Sequence, residues 1–146
     1  MASFQVLGSS DVSMEDEIVP GLYLGEYSDA IKWSKLGIGK TICVLSERPD
    51  PFPRESIWAP ILAVDSEDET EIRADIEKLD EVVGMIETFL REGQRVLVYC
   101  GAGVDRSPLA VAWYLHKGRG MPLAAAYAFI RVKRPIVRPH PNWITG

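Results

Sequence analysis

Cysteine and histidine are both scarce in this chain, two of each among 146 residues. Cys43 and Cys100 stand far apart. That excludes a disulfide framework and points to free thiols in a reducing compartment, the cytoplasm. His116 and His140 are also widely separated and carry no metal-ligand spacing, so no metal is expected. Long apolar runs are missing. None approaches the ~18–20 residues that span a bilayer, and MASFQVLGSSDVSMEDE has neither the basic start nor the apolar centre of a secretory leader. No membrane partner is expected. Positive charge is not in excess: 16 Lys and Arg face 21 Asp and Glu, for a formal net charge of −5. A nucleic-acid binder needs the opposite footprint. Repeats, low-complexity segments and internal linkers are lacking too. What is present is an ordinary globular composition, 47% hydrophobic and 25% charged, at a length that suits one domain with a real core.

Residues 1–17 are polar and acidic without period and read as a flexible arm, which leaves 18–146 as the folded domain. EIVPGLYLG reads as two short strands about a Pro20-Gly21 turn. Ser28 and Asp29 offer caps for a short helix through AIKWSKLG, stopped by Gly37 and Gly39. TICVLS is a buried strand. RPDPFPRES, with its prolines, is loop. IWAPILAV is a further strand whose first half Pro60 weakens, and DSEDETE is acidic loop. Apolar residues recur at threes and fours from Ile72 to Leu90, which predicts a helix from about Ile72 to Arg91, ended by Gly93. RVLVYC is a buried strand. PLAVAWYLHK is a helix ended by Gly118 and Gly120. MPLAAAYAFIRVKR is another, with Pro122 in its first turn and Pro135 closing it. RPIVRPHPNWITG is extended and irregular. The alternation predicts an α/β fold with a central, mostly parallel twisted sheet flanked by helices.

The stretch YCGAGVDRS sits where that fold places chemistry, between the C-terminal end of a buried strand and the start of a helix. A short loop there aims successive backbone N–H groups at one point, and the helix adds its positive end, making an anion cradle. Gly101 and Gly103 permit a tight turn, and Pro108 suits the first turn of the helix. In that field the Cys100 thiol is expected to ionise well below its reference value of ~8.5. Arg106 can hold two phosphate oxygens while charge spreads over them in the transition state. Ser107 can hydrogen-bond the thiolate and help it leave. The fitting reaction is attack on phosphorus, giving a phosphocysteine that water hydrolyses.

With its flanks, Cys100-x5-Arg106-Ser107 resembles the active-site signature of cysteine-dependent protein tyrosine phosphatases, in particular the small dual-specificity group. VPGLYLGEYSDAIKWSKLGI looks like that group's opening segment, TICVLSE like its next strand, RVLVYC with SPLAVAWYL like the strand and helix around its loop, and RPIVRPHPNW like the segment after its penultimate helix. The likeness runs from about Ile18 to the end. It implies a single-domain phosphatase fold and a phosphorylated protein as substrate, with no cofactor. Cys100 would be the nucleophile, and the amides of Gly101, Ala102, Gly103, Val104, Asp105 and Arg106 the cradle. An aspartic acid on a mobile loop about thirty residues upstream would be general acid and then base. Asp65 directly follows the aliphatic strand, as that acid does, and precedes Cys100 by 35 residues. Asp68, at 32, fits the spacing better and the flanks worse. Glu67 is a third candidate.

Three departures stand out. Tyr99 replaces the histidine that usually precedes the cysteine, so no imidazolium charge is supplied there. Asp105 brings a negative charge into the loop and is expected to point outward onto a cation. The sequence stops at Gly146, short of the family's usual final helix, which suggests a shortened chain. Elsewhere Cys43 reads as packing, or as a partner that protects an oxidised Cys100. His116 and His140 read as structural or surface residues, and Asn142 as a turn former or a support for the loop. Arg131, Lys133, Arg134 and Arg138 read as a solvated basic face, with attraction of phosphorylated substrates as the functional alternative. Trp33, Trp58, Trp113 and Trp143 read as core or rim packing. Two other functions stay open: a catalytically silent phosphate-binding module, and the same chemistry on a phosphoinositide or an RNA 5′-phosphate.

Overall fold

The computed structural model describes residues 17–144, so the expected N-terminal arm, Glu17 apart, lies outside the described residues. Glu17 itself opens the first strand. Seven strands form two sheets: β1 (Glu17–Val19), β2 (Leu22–Glu26), β3 (Lys40–Cys43), β4 (Ile57–Trp58), β5 (Leu62–Val64), β6 (Arg73–Ala74) and β7 (Val96–Cys100). The main sheet runs β1-β2-β7-β3-β4. Only β1 is antiparallel to its neighbour; the other pairings are parallel, as the alternating elements predict. All five residues of β7 are buried, which suits the central strand of a covered sheet. The apolar runs that read as strands at the sequence level are therefore the ones that need cover on both faces.

Among the described residues the cover comes from four helices: α1 (Tyr27–Ile31), α2 (Ile76–Arg91), α3 (Arg106–Arg119) and α4 (Leu123–Lys133). Strand alternation divides the side chains between two cores. Val96, Val98 and Cys100 join Leu22, Leu24 and Ile42 in the larger core, under Leu79, Val82 and Ile86 of α2 and the apolar residues of α3 and α4. Leu97 and Tyr99 face the other way, with Tyr23, Ala30, Ile38 and Cys43. Helix α3 is almost wholly apolar from Leu109 to Leu115 because it is wedged between α2 and α4 as well as the sheet.

Several boundaries differ from the sequence reading, each for a local reason. Helix α1 begins at Tyr27, capped by Glu26, whose N–H donates to Asp29 Oδ2 at 3.1 Å. A separate 3₁₀ turn, Trp33–Leu36, follows it. Pro60 splits IWAPILAV, placing β4 in the main sheet and β5 in an antiparallel ribbon with β6. Helix α2 starts four residues later than its apolar period, at Ile76, because the Asp75 carboxylate accepts the Lys78 N–H and caps it. Ile72 is buried without being helical, and periodicity cannot tell those cases apart. Within the acidic stretch, Glu69–Glu71 form a 3₁₀ turn capped by Asp68. Helix α3 begins two residues before Pro108, and Pro122 caps α4 from outside.

Candidate active site

Cys100 is the last residue of β7 and is 4% exposed. The chain then bends through residues 101–105 and enters α3 at Arg106. What shapes this bend is the fate of its carbonyls. Gly101 O accepts the Tyr27 N–H at 3.1 Å, and Val104 O accepts the Arg138 N–H at 2.9 Å. Gly103 O accepts Nε of Arg134 at 3.0 Å, and Ala102 O accepts its Nη2 at 3.2 Å. Four successive carbonyls are thus tied outward to the scaffold. In a trans peptide the N–H points opposite to the preceding C=O. The amides of Ala102, Gly103, Val104 and Asp105 are therefore turned to the other side, where they form a concave set of donors at the positive end of α3. Gly103 makes the bend possible. Its φ is +70°, and a Cβ there would stand 2.7 Å from both Arg134 Nη2 and Gly25 O.

Ser107 is fully buried. Its N–H donates to Cys100 Sγ at 3.3 Å, and its Oγ lies 3.2 Å from the same sulfur. Oγ is also within 3.3 Å of Gly25 O. One hydroxyl proton serves either the sulfur or the carbonyl, so Ser107 can follow the charge on Cys100. Arg106 donates from Nη2 to Asp65 Oδ1 at 2.8 Å, while its Nε is buried without a protein partner. Asp65 therefore stands against the loop. Asp68 does not: its Oδ1 accepts both the N–H and the hydroxyl of Thr70, and those bonds hold its carboxyl below the usual range. Glu67 lines the approach without reaching a described partner.

Asp105 points outward, as expected. Arg138 donates to it from Nε at 2.9 Å and from Nη2 at 2.7 Å, and His140 Nε2 lies 2.7 Å from its Oδ1. The His140 ring stacks on Trp143 with centroids 3.8 Å apart. Burial pushes the Asp105 carboxyl up, but the hydrogen bonds and charges of Arg138 and His140 outweigh it and keep the carboxyl below its usual range. The solvated basic face is accordingly corrected for one of its four members, Arg134; the Arg138 side chain stays 61% exposed while it holds Asp105. Arg134 is 9% exposed and serves the loop carbonyls, and Arg138 serves Asp105. Arg134 falls one helical turn after Ile130, on the buried stripe with Ala126 and Tyr127. That position was the sequence signal for its burial. The loop's support comes from His140, whereas Asn142 is exposed and bonds to no described residue.

Tyr99 and Cys43 lie on the far side of the sheet. The Tyr99 hydroxyl is 2.8 Å from Ser56 Oγ, and burial raises its pKa far above a phenol's ordinary value. Cys43 is a free thiol, also pushed up by burial, in the smaller core. It projects away from Cys100, which favours packing over protection. His116 Nδ1 meets Met121 O at 2.7 Å. Trp113 and Trp143 are buried, and Trp58 sits on the rim with its indole N–H on Leu45 O. Among the described residues no three His, Cys, Asp or Glu side chains gather closely enough to hold a metal ion.

Open hollows flank the Arg106–Asp65 bridge. One of about 470 Å³ is lined by residues 45–50 with Asp65 and Arg106, and one of about 620 Å³ by Ser46, Glu47, Asp65, Ser66, Glu67 and Arg106. On the other side of Arg106 a smaller hollow, about 190 Å³, includes Glu69, Asp105 and Arg138. The guanidinium of Arg106 and the carboxylate of Asp65 thus line these hollows, at the end of the loop that starts from the Cys100 thiol.

A profile of the dual specificity phosphatase catalytic domain matches residues 22–145. Dual specificity phosphatase 28 of Homo sapiens is 31% identical over 127 residues, covering 86% of this chain and 71% of that protein. Dual specificity protein phosphatase 1 of Arabidopsis thaliana is 32% identical over 138 residues, covering 92% and 67%. The crystal structure of human tyrosine phosphatase-like serine/threonine/tyrosine-interacting protein superposes with a TM-score of 0.72 at 27% identity, covering 88% of this chain and 89% of that one.

Proposed function

This chain belongs to the dual-specificity phosphatases, enzymes that hydrolyse phosphorylated proteins through a phosphocysteine, and on that premise we propose that Cys100 is its nucleophile, Arg106 its phosphoryl clamp and Asp65 its general acid. The observation that carries the assignment is the set of four outward-tied carbonyls, which leaves the amides of residues 102–105 to face the phosphoryl oxygens beside the Cys100 sulfur.

The steps follow from the geometry. The phosphoryl dianion displaces Asp65 from Arg106, because it offers the guanidinium fork two oxygens and a larger charge. It also supplies an acceptor for the buried Nε. The Cys100 thiolate attacks phosphorus, and the bond from phosphorus to the substrate oxygen breaks. The released Asp65 takes up a proton from solvent and gives it to that oxygen. Asp65 then takes a proton from water, whose oxygen attacks phosphorus. The P–S bond breaks, inorganic phosphate leaves, and the Ser107 hydroxyl turns its proton to the restored thiolate.

Phosphotyrosine is the first substrate we assign. The hollows are open rather than slot-like, which also admits phosphoserine and phosphothreonine. The catalytic unit is taken to begin with β1, at Glu17, one residue before the boundary expected from the sequence. Its two free thiols suit a reducing compartment, so we place it in the cytoplasm. The test is hydrolysis of p-nitrophenyl phosphate without added metal. We expect turnover by the parent, lost in Cys100→Ser. Turnover that survives Cys100→Ser would refute the nucleophile.

A further inference from the structure

The cations nearest the loop are already committed. Arg134 holds two loop carbonyls. Both donor positions of Arg138 that face the loop are on Asp105. Arg48 lies over the Phe52 ring at 4.2 Å. The hollows beside Arg106, by contrast, are lined by Glu47, Asp50 and Glu67 as well as Asp65. Glu47, Asp50 and Glu67 are exposed, and none of the three forms a hydrogen bond or ion pair with a described residue. When a phosphoryl group takes Arg106 and Asp65 carries its proton, the remaining charges lining these two larger hollows are the three carboxylates against the cation of Arg48. The floor of the cleft is thus positive and its rim negative.

We propose that this cleft selects phosphorylated segments whose flanking residues are lysine or arginine. The inference rests on the phosphatase reading above and adds the substrate class. The phosphoryl group is drawn down by the amides and Arg106. The residues on either side of it cross the rim, within a Debye length of Glu47, Asp50 and Glu67. There a guanidinium or ammonium gains charge-assisted contacts, and an acidic side chain is repelled. The same rim opposes ligands that carry several anionic groups beyond the reacting one, such as an inositol polyphosphate headgroup or an RNA 5′ end. With Arg134 and Arg138 engaged by the loop, the charges left at these hollows are those of the acidic rim.

The experiment compares two phosphotyrosyl peptides of equal length, one flanked by Arg and Lys and the other by Asp and Glu. The parent and a Glu47→Gln/Asp50→Asn/Glu67→Gln variant are assayed, with p-nitrophenyl phosphate as a substrate that has no flanks. We expect kcat/KM of the parent to favour the basic peptide by about tenfold at low salt, with the ratio shrinking as ionic strength rises. In the triple variant the ratio falls towards one. A parent that turns over p-nitrophenyl phosphate yet treats both peptides alike, or prefers the acidic one, overturns the inference and leaves the phosphatase reading standing. A preference that persists undiminished in the triple variant overturns it as well. If no substrate is hydrolysed, the phosphatase reading fails separately. Peptide binding to Cys100→Ser, measured by calorimetry, still decides the charge question: about tenfold tighter binding of the basic peptide supports it, and equal Kd values overturn it.

Discussion

Replacing Gly103 by alanine tests whether the loop's shape depends on the contacts described above. The residue has φ +70°, in the left-handed region, where a Cβ costs roughly 1–2 kcal/mol. That Cβ would also stand 2.7 Å from Gly25 O and 2.9 Å from Gly25 C, which are backbone atoms of a central strand and cannot swing aside. Arg134 Nη2, also 2.7 Å away, is fixed by its own bonds to the loop. Overpacking against such a wall costs about 1–3 kcal/mol. The two penalties together come to about 2–5 kcal/mol, which lowers Tm by on the order of 10 °C in a domain of this size. If the loop relieves the clash by moving, its amides leave the phosphoryl oxygens, and a displacement of about 1 Å costs on the order of 100-fold in rate. Gly101→Ala is the contrast. A Cβ at residue 101 meets nothing within 4 Å, so its Tm stays within about 1–2 °C of the parent. Thermal unfolding and p-nitrophenyl phosphate turnover read both quantities. A Gly103→Ala protein with parental Tm and kcat/KM within about twofold of the parent would refute the reasoning.

Asp65→Asn is expected to lower kcat by about 100-fold on a phosphotyrosyl substrate, whose poor leaving group needs the proton, and by less on p-nitrophenyl phosphate. Asp68→Asn, which only loosens the Thr70 turn, leaves kcat near the parent; equal losses in the two variants would remove the distinction. The Asp105 carboxyl is held below its unfolded value of ~3.9, so the stability it contributes is fully present above that value and is lost as pH falls through its folded pKa. In urea titrations the parent therefore exceeds Asp105→Asn at pH 6, and the gap narrows as the pH is taken below ~3.9; a gap that is unchanged in acid speaks against the Arg138–His140 assignment. Tyr99→Phe leaves Ser56 Oγ without its 2.8 Å partner, at a cost of about 1 kcal/mol. It changes kcat/KM by less than about twofold, because the phenol faces the opposite side of the sheet from Cys100. A large kinetic effect would show that Tyr99 acts on the thiolate.

Much of the site is local in the chain, and that part was readable. Cys100, Arg106 and Ser107 lie within eight residues, so one strand-loop-helix element brings them together whatever surrounds it. The buried strands were legible for the same reason: VLVYC and TIC declare by composition alone that both faces are covered. Asp65 was legible as a candidate because it follows an aliphatic strand. Its flanks already favoured it over Asp68, and the fold sets the Asp65 carboxylate 2.8 Å from Arg106 while tying that of Asp68 to Thr70.

What only the tertiary structure decided is which charges are free. Sequence counts Arg134 and Arg138 as cations near a phosphate site, and nothing in their spacing says that their donors are already bonded. The fold brings α4 and the segment after it against the loop. There a loop carbonyl left without a donor costs about 1–3 kcal/mol, and the Arg134 guanidinium supplies donors for two of them. Arg134 is therefore drawn onto Ala102 and Gly103, and Arg138 with His140 onto Asp105. These are contacts between residues about thirty positions apart, made by donors and acceptors that could each have found water instead. Local chemistry set Cys100, the nucleophile we propose, at the head of the loop that we propose as its phosphate cradle. Long-range packing determined how the cradle is held open and which sign of charge is left at its rim.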